Sequence, residues 1–317
     1  MPTKSNLPPA IMLMGPTASG KTALSLCLAD RFPVEIVSVD SALVYKGMDI
    51  GTSKPNQSVL QKYPHHLIDI CFPEDTYSAA QFRHDALNAM QQMTKRGKVP
   101  LLVGGTMLYY RSLIQGLSEL PSANEEVRKS LDQFMEKNGL SALHERLKDV
   151  DAIAAQKIHP NDPQRIQRAL EVYELSGKPI SQWWIEQKSH KLPYSILKIA
   201  VSTSERSLLH ERIEKRFGQM LEEGFVDEVK ALRARGNLDL NKPSMRSVGY
   251  RQVWQYLDGE ISYDEMLYKG IVATRQLAKR QLTWLRSEQE VHWFKSDQNN
   301  FEQQVLKLIQ QTPSLCL

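Results

Sequence analysis

The sequence predicts an α/β protein, a mostly parallel sheet with helices on both faces, into which an all-helical domain is inserted. Three observations predict it. Short runs of apolar and β-branched residues alternate with helical stretches, the pattern of a sheet covered on both sides. That alternation breaks near Leu120-Pro121-Ser122 and resumes at about residue 195. A glycine-bearing turn joins the first predicted strand to the first predicted helix.

The elements follow in order. Residues 1–9 are polar and proline-rich and read as a loose tail. Ala10 to Met14 is the first buried strand, followed by the turn GPTASGKT and a helix from Ala23 to Arg31. Val34 to Val39 is a second strand, ending at Asp40. Val99 to Val103 is a third, followed by Gly104-Gly105-Thr106 and a helix from Met107 to Gln115. Between Pro121 and Pro193 only helices are expected. One is well punctuated, with Asp162 as N-cap, Pro163 at the first helical position, Gly177 after the end and Pro179 beyond. Ile196 to Val201 resumes the sheet, helices dominate from Leu208 to Arg286, and Val291 to Phe294 reads as an edge strand before a short helix and tail. The expected domains are a discontinuous core, 1–118 with 195–317, and a helical insertion, 119–194.

The chain has 317 residues, 41% of them hydrophobic and 24% charged, enough for a packed core and too apolar for disorder. A net charge of +4 permits a nucleic-acid partner without demanding one, so the clustering of the charge decides. Cys27, Cys71 and Cys316 are odd in number and far apart. They suggest neither zinc nor disulfides and fit a reducing cytoplasm. The apolar run Ala10 to Met14 is too short for a signal peptide or a membrane span.

Gly15-Pro16-Thr17-Ala18-Ser19-Gly20-Lys21-Thr22 matches GxxxxGK[ST] in strand–loop–helix context, the mark of a P-loop. Backbone N–H groups and the helix N-terminus cradle phosphates, Lys21 adds a point charge, and the Thr22 hydroxyl can ligate Mg²⁺. The fold expectation is therefore a P-loop NTPase-like core. A nucleotidase places a Mg²⁺-binding Asp after an apolar strand, but the third strand, LLVGGT, has none. Asp40, closing the second strand, can fill that part, can act as a base at the ligand edge of the sheet, or can simply cap a turn.

GPTASGKT, VEIVSVDSALVYKGMDIGTSKP, HHLIDI, LLVGGTMLYY, HPNDPQRIQRALEVYELSGK, SMRSVGYRQVW and ATRQLAKRQLTWLR, in this order from about Ala10 to Phe294, resemble the bacterial tRNA dimethylallyltransferases, also called tRNA isopentenyl transferases. The resemblance implies transfer of a dimethylallyl group from its diphosphate to N6 of the adenosine 3′-adjacent to the anticodon of certain tRNAs, with diphosphate in the P-loop and Mg²⁺ as cofactor. It carries the catalytic aspartate onto Asp40 and a threonine beside the reacting adenosine onto Thr106. An arginine that aids the diphosphate falls on Arg216 in preference to Arg212. Contacts to tRNA fall on Asp40, Ser41, Ala42 and Leu43, on Thr106, on Arg128, on Gln164, Arg165, Ile166, Gln167 and Arg168, on Arg246, and on Gly249, Tyr250 and Arg251. They fall also on Arg275, Lys279, Arg280 and Arg286. A cytoplasmic monomer free of membrane is implied.

The residues support the RNA expectation in one place. Leu267 to Arg286 holds five basic residues and no acid; at helical spacing Arg275, Lys279 and Arg286 flank an apolar stripe, which suits a phosphate backbone. Arg165 and Arg168 share a helix face. His65-His66 lack metal-ligand spacing and read as structural, and Trp183-Trp184 read as core packing rather than base stacking. Two rival functions remain in view. A kinase or isopentenyltransferase acting on free adenine nucleotides needs neither the helical insertion nor the basic helix. A non-catalytic RNA switch needs a second nucleotide-recognition motif, which the chain lacks.

Overall fold

The computed structural model describes residues 7–118, 120–186, 192–313 and 315. Most of the expected N-terminal tail, the insertion boundary at residue 119, Cys316 and the last of the C-terminal tail lie outside the described residues; Cys27 and Cys71 are free thiols.

Strand β1 (Pro9–Met14) enters the phosphate loop and helix α1 (Lys21–Arg31), followed by β2 (Val34–Val39), α2 (Gln57–Lys62) and the two-residue β3 (His65–His66). Then come α3 (Ala79–Lys95), opened by a Ser78/Gln81 capping box, β4 (Val99–Gly104) and α4 (Met107–Gln115). After the insertion, β5 (Ser195–Ser202), α9 (Arg206–Glu222), α10 (Phe225–Arg233), α11 (Tyr250–Leu257), α12 (Tyr263–Arg286), β6 (Val291–Lys295) and α13 (Phe301–Gln311) complete the chain. All strand pairs are parallel, in the order β3-β2-β4-β1-β5-β6. The chain divides into two compact units, 114–191 and the remainder; the sequence reading put those limits at 119 and 194.

The sheet is buried on both faces because helices cover both. Ile11, Leu13, Ile36, Leu101 and Ile199 pack with Leu24 and Leu28 of α1 and Val305 and Ile309 of α13. A second core gathers Phe217, Phe225, Val229, Tyr250, Val253 and Met266 from α9 to α12 around Val44, Tyr45 and Met48. Parallel strands bring their C-terminal ends to one edge. Met14 and Val39 both register with Gly104, so the phosphate loop, Asp40 and Thr106 emerge side by side. A Cβ on Gly104 would stand 2.0 Å from the Val39 carbonyl oxygen, so only glycine lets these strands leave the sheet so closely.

The helical unit contains α5 (Glu125–Val150), α6 (Ala152–Lys157), α7 (Pro163–Ser176) and α8 (Ile180–Glu186). The α5 run is two helices meeting at Gly139, whose φ of 84° breaks the helical path. Asp162 caps α7 through the Arg165 N–H, Pro163 follows at the first helical position, and Gly177 ends the helix in the left-handed region, φ 68°. Leu131, Leu143, Leu147, Ile166, Leu170 and Ile180 form this unit's own core.

Candidate active site

The turn from Gly15 to Gly20 leads into α1, with Ala18 at φ 61° and Gly20 at φ 92° in the left-handed region that such phosphate-cradling turns use. Lys21 folds back over the loop, its Nζ donating to the Pro16 carbonyl at 2.6 Å and to Ser19 Oγ at 3.4 Å. Burial and, secondly, the neighbouring Arg216 charge push the Lys21 ammonium down to about 7, with Asp40 pulling the other way. A cation held at such cost gains most from an anion brought into the loop.

Asp40 lies just beyond β2. Its Oδ1 accepts the N–H of Ala42 at 2.8 Å and of Leu43 at 3.4 Å, so one oxygen caps the turn while the residue also lines the cavity. The turn-cap and ligand-facing readings are thus compatible. Thr106 is brought alongside: its Oγ1 accepts the Ser41 N–H at 3.0 Å, and its own N–H reaches the Val39 carbonyl.

The two candidate arginines of α9 separate. Arg216 donates to Ser53 Oγ at 2.7 Å, to the Thr52 carbonyl at 3.3 Å and to Thr17 Oγ1 of the phosphate loop at 3.4 Å. Arg212 turns instead to Ser296 Oγ at 2.8 Å. Only Arg216 lines the cavity with Lys21 and Asp40.

That cavity has a polar wall of Thr17, Lys21, Thr22, Asp40, Arg216 and Gln281, and an apolar wall of Ile213, Phe217, Met220, Val248, Tyr250 and Leu277. It suits a ligand charged at one end and apolar at the other. Thr22 and Asp40 offer the hard oxygens Mg²⁺ prefers, and such a metal draws its remaining ligands from phosphate and water, so these residues fit it. Among the described residues no cluster of three or more His, Cys, Asp or Glu could hold a metal alone.

The basic helix also borders a cavity. Arg275, Lys279 and Arg286 of α12 line it with Arg206, His210, Trp293 and Lys295. Lys279, Arg280 and Arg286 are exposed. Arg275 is paired with Glu214 at 2.7 Å. Arg246 and Arg251 are exposed, whereas Gly249 is buried. Tyr250 is fully buried with its hydroxyl on Glu228, and its ring lines the cavity beside Phe217 and Met220.

In the helical unit Ile166 is likewise fully buried, so its side chain belongs to the core and not to an RNA face. Gln164 and Arg165 are exposed, Arg165 pairing with Asp162 at 3.3 Å. Gln167 holds Asp132 at 2.7 Å. Arg128 and Arg168 both grip the fully buried Glu171, from Arg128 Nε at 2.9 Å and Arg168 Nη1 at 2.5 Å. Burial alone would raise the Glu171 carboxyl, but hydrogen bonds from Arg128, Arg168 and the Asn124 N–H outweigh it and hold it below the usual range. His65 and His66 form the edge strand β3, with His66 on Glu35 and His65 Nδ1 on the Tyr63 carbonyl. Trp183 and Trp184 pack on the helical core under Lys178 and Lys157.

Sequence reasoning missed Gln281. From α12, its Oε1 accepts the Thr17 N–H and its Nε2 donates to the Gly105 carbonyl, both at 2.9 Å, tying the phosphate loop to the loop before Thr106. It lies inside the motif ATRQLAKRQLTWLR, but a glutamine carries no signal of its own beside so many cations. Glu171 sits three residues from Arg168, a helical pairing the spacing could have revealed.

The family described as IPP transferase matches residues 43–288. A curated relative, tRNA dimethylallyltransferase 2 of Hahella chejuensis, is 52% identical, covering 98% of this chain and 97% of its own. Among solved structures, the full-length tRNA isopentenylpyrophosphate transferase of Bacillus halodurans is 38% identical with a TM-score of 0.69, covering 95% of this chain and 94% of its own. A eukaryotic dimethylallyltransferase acting on tRNA superposes with a TM-score of 0.79 at 26% identity, covering 95% of this chain and 78% of its own.

Proposed function

We infer the reaction from the site together with its kinship: this chain belongs to the IPP transferase family and is a tRNA prenyltransferase that moves a dimethylallyl group from its diphosphate onto tRNA. The acceptor is N6 of the adenosine 3′-adjacent to the anticodon. The observation that carries this reading is the convergence of Lys21, Arg216 and Asp40 on one cavity that has an apolar wall.

The allylic C–O bond breaks as negative charge grows on the departing diphosphate. Loop amides, Lys21 and Arg216 are fixed in advance around that charge and need no reorganisation as it develops. The apolar wall takes the five-carbon chain and keeps water from the electron-deficient allylic carbon. Adenine N6 is a weak nucleophile, its lone pair delocalised into the ring. Asp40, with Oδ1 fixed by the turn, orients the N6–H and accepts its proton as the C–N bond forms. Thr106, held on Ser41, lies beside that carboxylate's turn and steadies the adenosine. Thr22 would hold Mg²⁺ together with the substrate's phosphates, and the ion would add positive charge at the leaving group.

The RNA rests on two further surfaces. Lys279, Arg280 and Arg286, exposed on α12, meet backbone phosphates, as do Arg246 and Arg251. The helical unit presents Arg128, Arg165 and Arg168 to the anticodon loop. Among the described residues no helix is long and apolar enough to cross a membrane, and the free thiols Cys27 and Cys71 suit a reducing compartment such as the cytoplasm.

Incubation with dimethylallyl diphosphate, Mg²⁺ and undermodified tRNA, followed by nucleoside analysis, tests the reading. N6-dimethylallyl adenosine is the expected product, and Asp40→Asn lowers turnover by roughly a hundred- to ten-thousandfold with donor binding nearly intact. Prenylation of free adenine nucleotides but not tRNA overturns it; loss of donor binding in Asp40→Asn reassigns Asp40 to the metal alone.

A further inference from the structure

We propose that Glu228 is the positioning residue for Arg216, acting through the 49–53 loop; this rests on the diphosphate role given to Arg216 above. Glu228 stands in the first turn of α10, far in sequence from that loop. Its Oε2 accepts the N–H of Asp49 at 2.8 Å and of Ile50 at 2.7 Å. Its Oε1 accepts the Gly51 N–H at 3.1 Å and the Tyr250 hydroxyl at 2.5 Å. Four donors converge on one carboxylate, which fixes three consecutive peptide groups. Burial, followed by the charge of Glu228, pushes the Tyr250 hydroxyl well above its usual range, so it remains a donor.

The loop so held is close-packed. A Cβ on Gly51 would stand 2.1 Å from the Phe225 ring, so the backbone at Gly51 lies directly on the aromatic floor. The next two residues carry the consequence. The Thr52 carbonyl and Ser53 Oγ are two of the three acceptors that hold the Arg216 guanidinium, the third being Thr17 Oγ1 in the phosphate loop itself. Ser53 adopts φ 51°, a strained setting for a serine that the anchored residues before it sustain. The chain of contacts therefore runs from the carboxylate through three amides to two acceptors and from them to the arginine. A second arm, through Tyr250, ties the same carboxylate to the Gly249–Arg251 segment.

The test is a double-mutant cycle on binding of magnesium diphosphate, with anticodon stem-loop binding and thermal unfolding measured beside it. Glu228→Gln places an amide N–H against backbone donors and is expected to weaken diphosphate binding about tenfold, leaving stem-loop affinity within about twofold. In an Arg216→Gln background the same change is expected to add nothing to the loss of diphosphate binding, because the proposed route to the diphosphate runs through Arg216. Ser53→Ala, at an exposed position of the loop, removes the shorter of the two loop contacts to Arg216 without touching the core. It is expected to give a severalfold loss alone and none beside Arg216→Gln, so the inference stays testable if Glu228→Gln does not fold. Equal losses in both backgrounds, or no loss in the native one, overturn the inference alone. If Arg216→Gln itself leaves diphosphate binding unchanged, the role of Arg216 falls and the inference with it.

Discussion

The phosphate loop and the helical unit both gather cations and hold them in opposite ways. At the phosphate loop, Lys21 and Arg216 hydrogen-bond only to neutral acceptors among the described residues: a carbonyl and a hydroxyl for Lys21, two hydroxyls and a carbonyl for Arg216. In the helical unit, Arg128 and Arg168 share the buried carboxylate of Glu171, and Arg168 also holds the Pro121 carbonyl at 2.6 Å. Neutral acceptors fix a cation without cancelling its charge. A carboxylate fixes it better and cancels half the charge of the trio. The difference teaches what each cluster is for. The cradle keeps its charge for a small anion whose charge grows during reaction, at the cost of depressing Lys21 to about 7. For the proposed contact with tRNA, the helical unit would need orientation, because a large polyanion supplies many phosphates and the protein gains more from presenting each arginine in one place.

Breaking the first half of the comparison gives the largest effect. Lys21→Ala removes the charge proposed to act on the leaving diphosphate, and turnover is expected to fall by roughly a hundredfold or more. Single-turnover kinetics with saturating donor checks this. A loss confined to KM would mean that Lys21 binds ground and transition states alike.

Breaking the second half affects stability and RNA affinity while sparing the donor site. Glu171→Gln leaves two arginines facing a neutral amide, and the helical unit is expected to lose about 1–3 kcal/mol in urea unfolding, with stem-loop affinity falling several-fold. Diphosphate binding should not move. The pH dependence carries its own sign. The Glu171 carboxyl is depressed in the fold, so its contribution is complete above the unfolded value of about 4.3 and is lost as pH falls through the lower folded value. The gap between wild type and Glu171→Gln should therefore close as pH falls below about 4.3. A gap that widened in acid would show that Glu171 folds protonated.

The two halves also differ in how they respond to base. In the free enzyme Lys21 loses its proton near pH 7, so donor kcat/KM should decline above that pH. Arg216 is one cause of the depression, so Arg216→Gln should move the declining limb to higher pH while lowering its plateau. An unmoved limb would assign the titration to another group.

Much of this was legible in the sequence, for reasons that also explain what was not. The phosphate loop, the strands β1, β2, β4 and β5 and the punctuated α7 each carry a local signal: apolar runs, a spaced motif, or Asp, Pro and Gly at the ends. Strand β3 is only two histidines long and exists because Ile36 and Val37 offer it a register, which no local pattern announces. The break in α5 rests on Gly139 alone, inside a run of good helix formers. The residues that organise the site were the hardest to see. Gln281 acts on Thr17 and Gly105 across 264 and 176 positions, and Glu228 on Asp49 across 179, with side chains common on any surface. Their roles are made by the fold, whereas Lys21 and Asp40 announce theirs by motif and by strand end.

The smallest expected effect sharpens the comparison on α12, the core helix proposed to meet RNA, where both ways of holding a cation occur four residues apart. Lys279 is exposed, and among the described residues no carboxylate pairs with it. Arg275 is paired with Glu214 at 2.7 Å, as Arg128 and Arg168 are with Glu171. Each phosphate contact made by a free cation steepens the fall of log affinity with log salt by roughly 0.7 to 0.9. Lys279→Gln should therefore flatten that slope by about one contact. Arg275→Gln should flatten it less, because the arginine already has a counterion of its own and releases fewer from the RNA. Glu214→Gln should turn Arg275 into a free cation and steepen the slope. Donor KM should stay constant throughout, since neither Arg275 nor Lys279 lines the diphosphate cavity. Equal slopes for Lys279→Gln and Arg275→Gln would mean that the Glu214 pair opens on binding, and that a carboxylate partner on this exposed helix does not restrain an arginine as the buried one does.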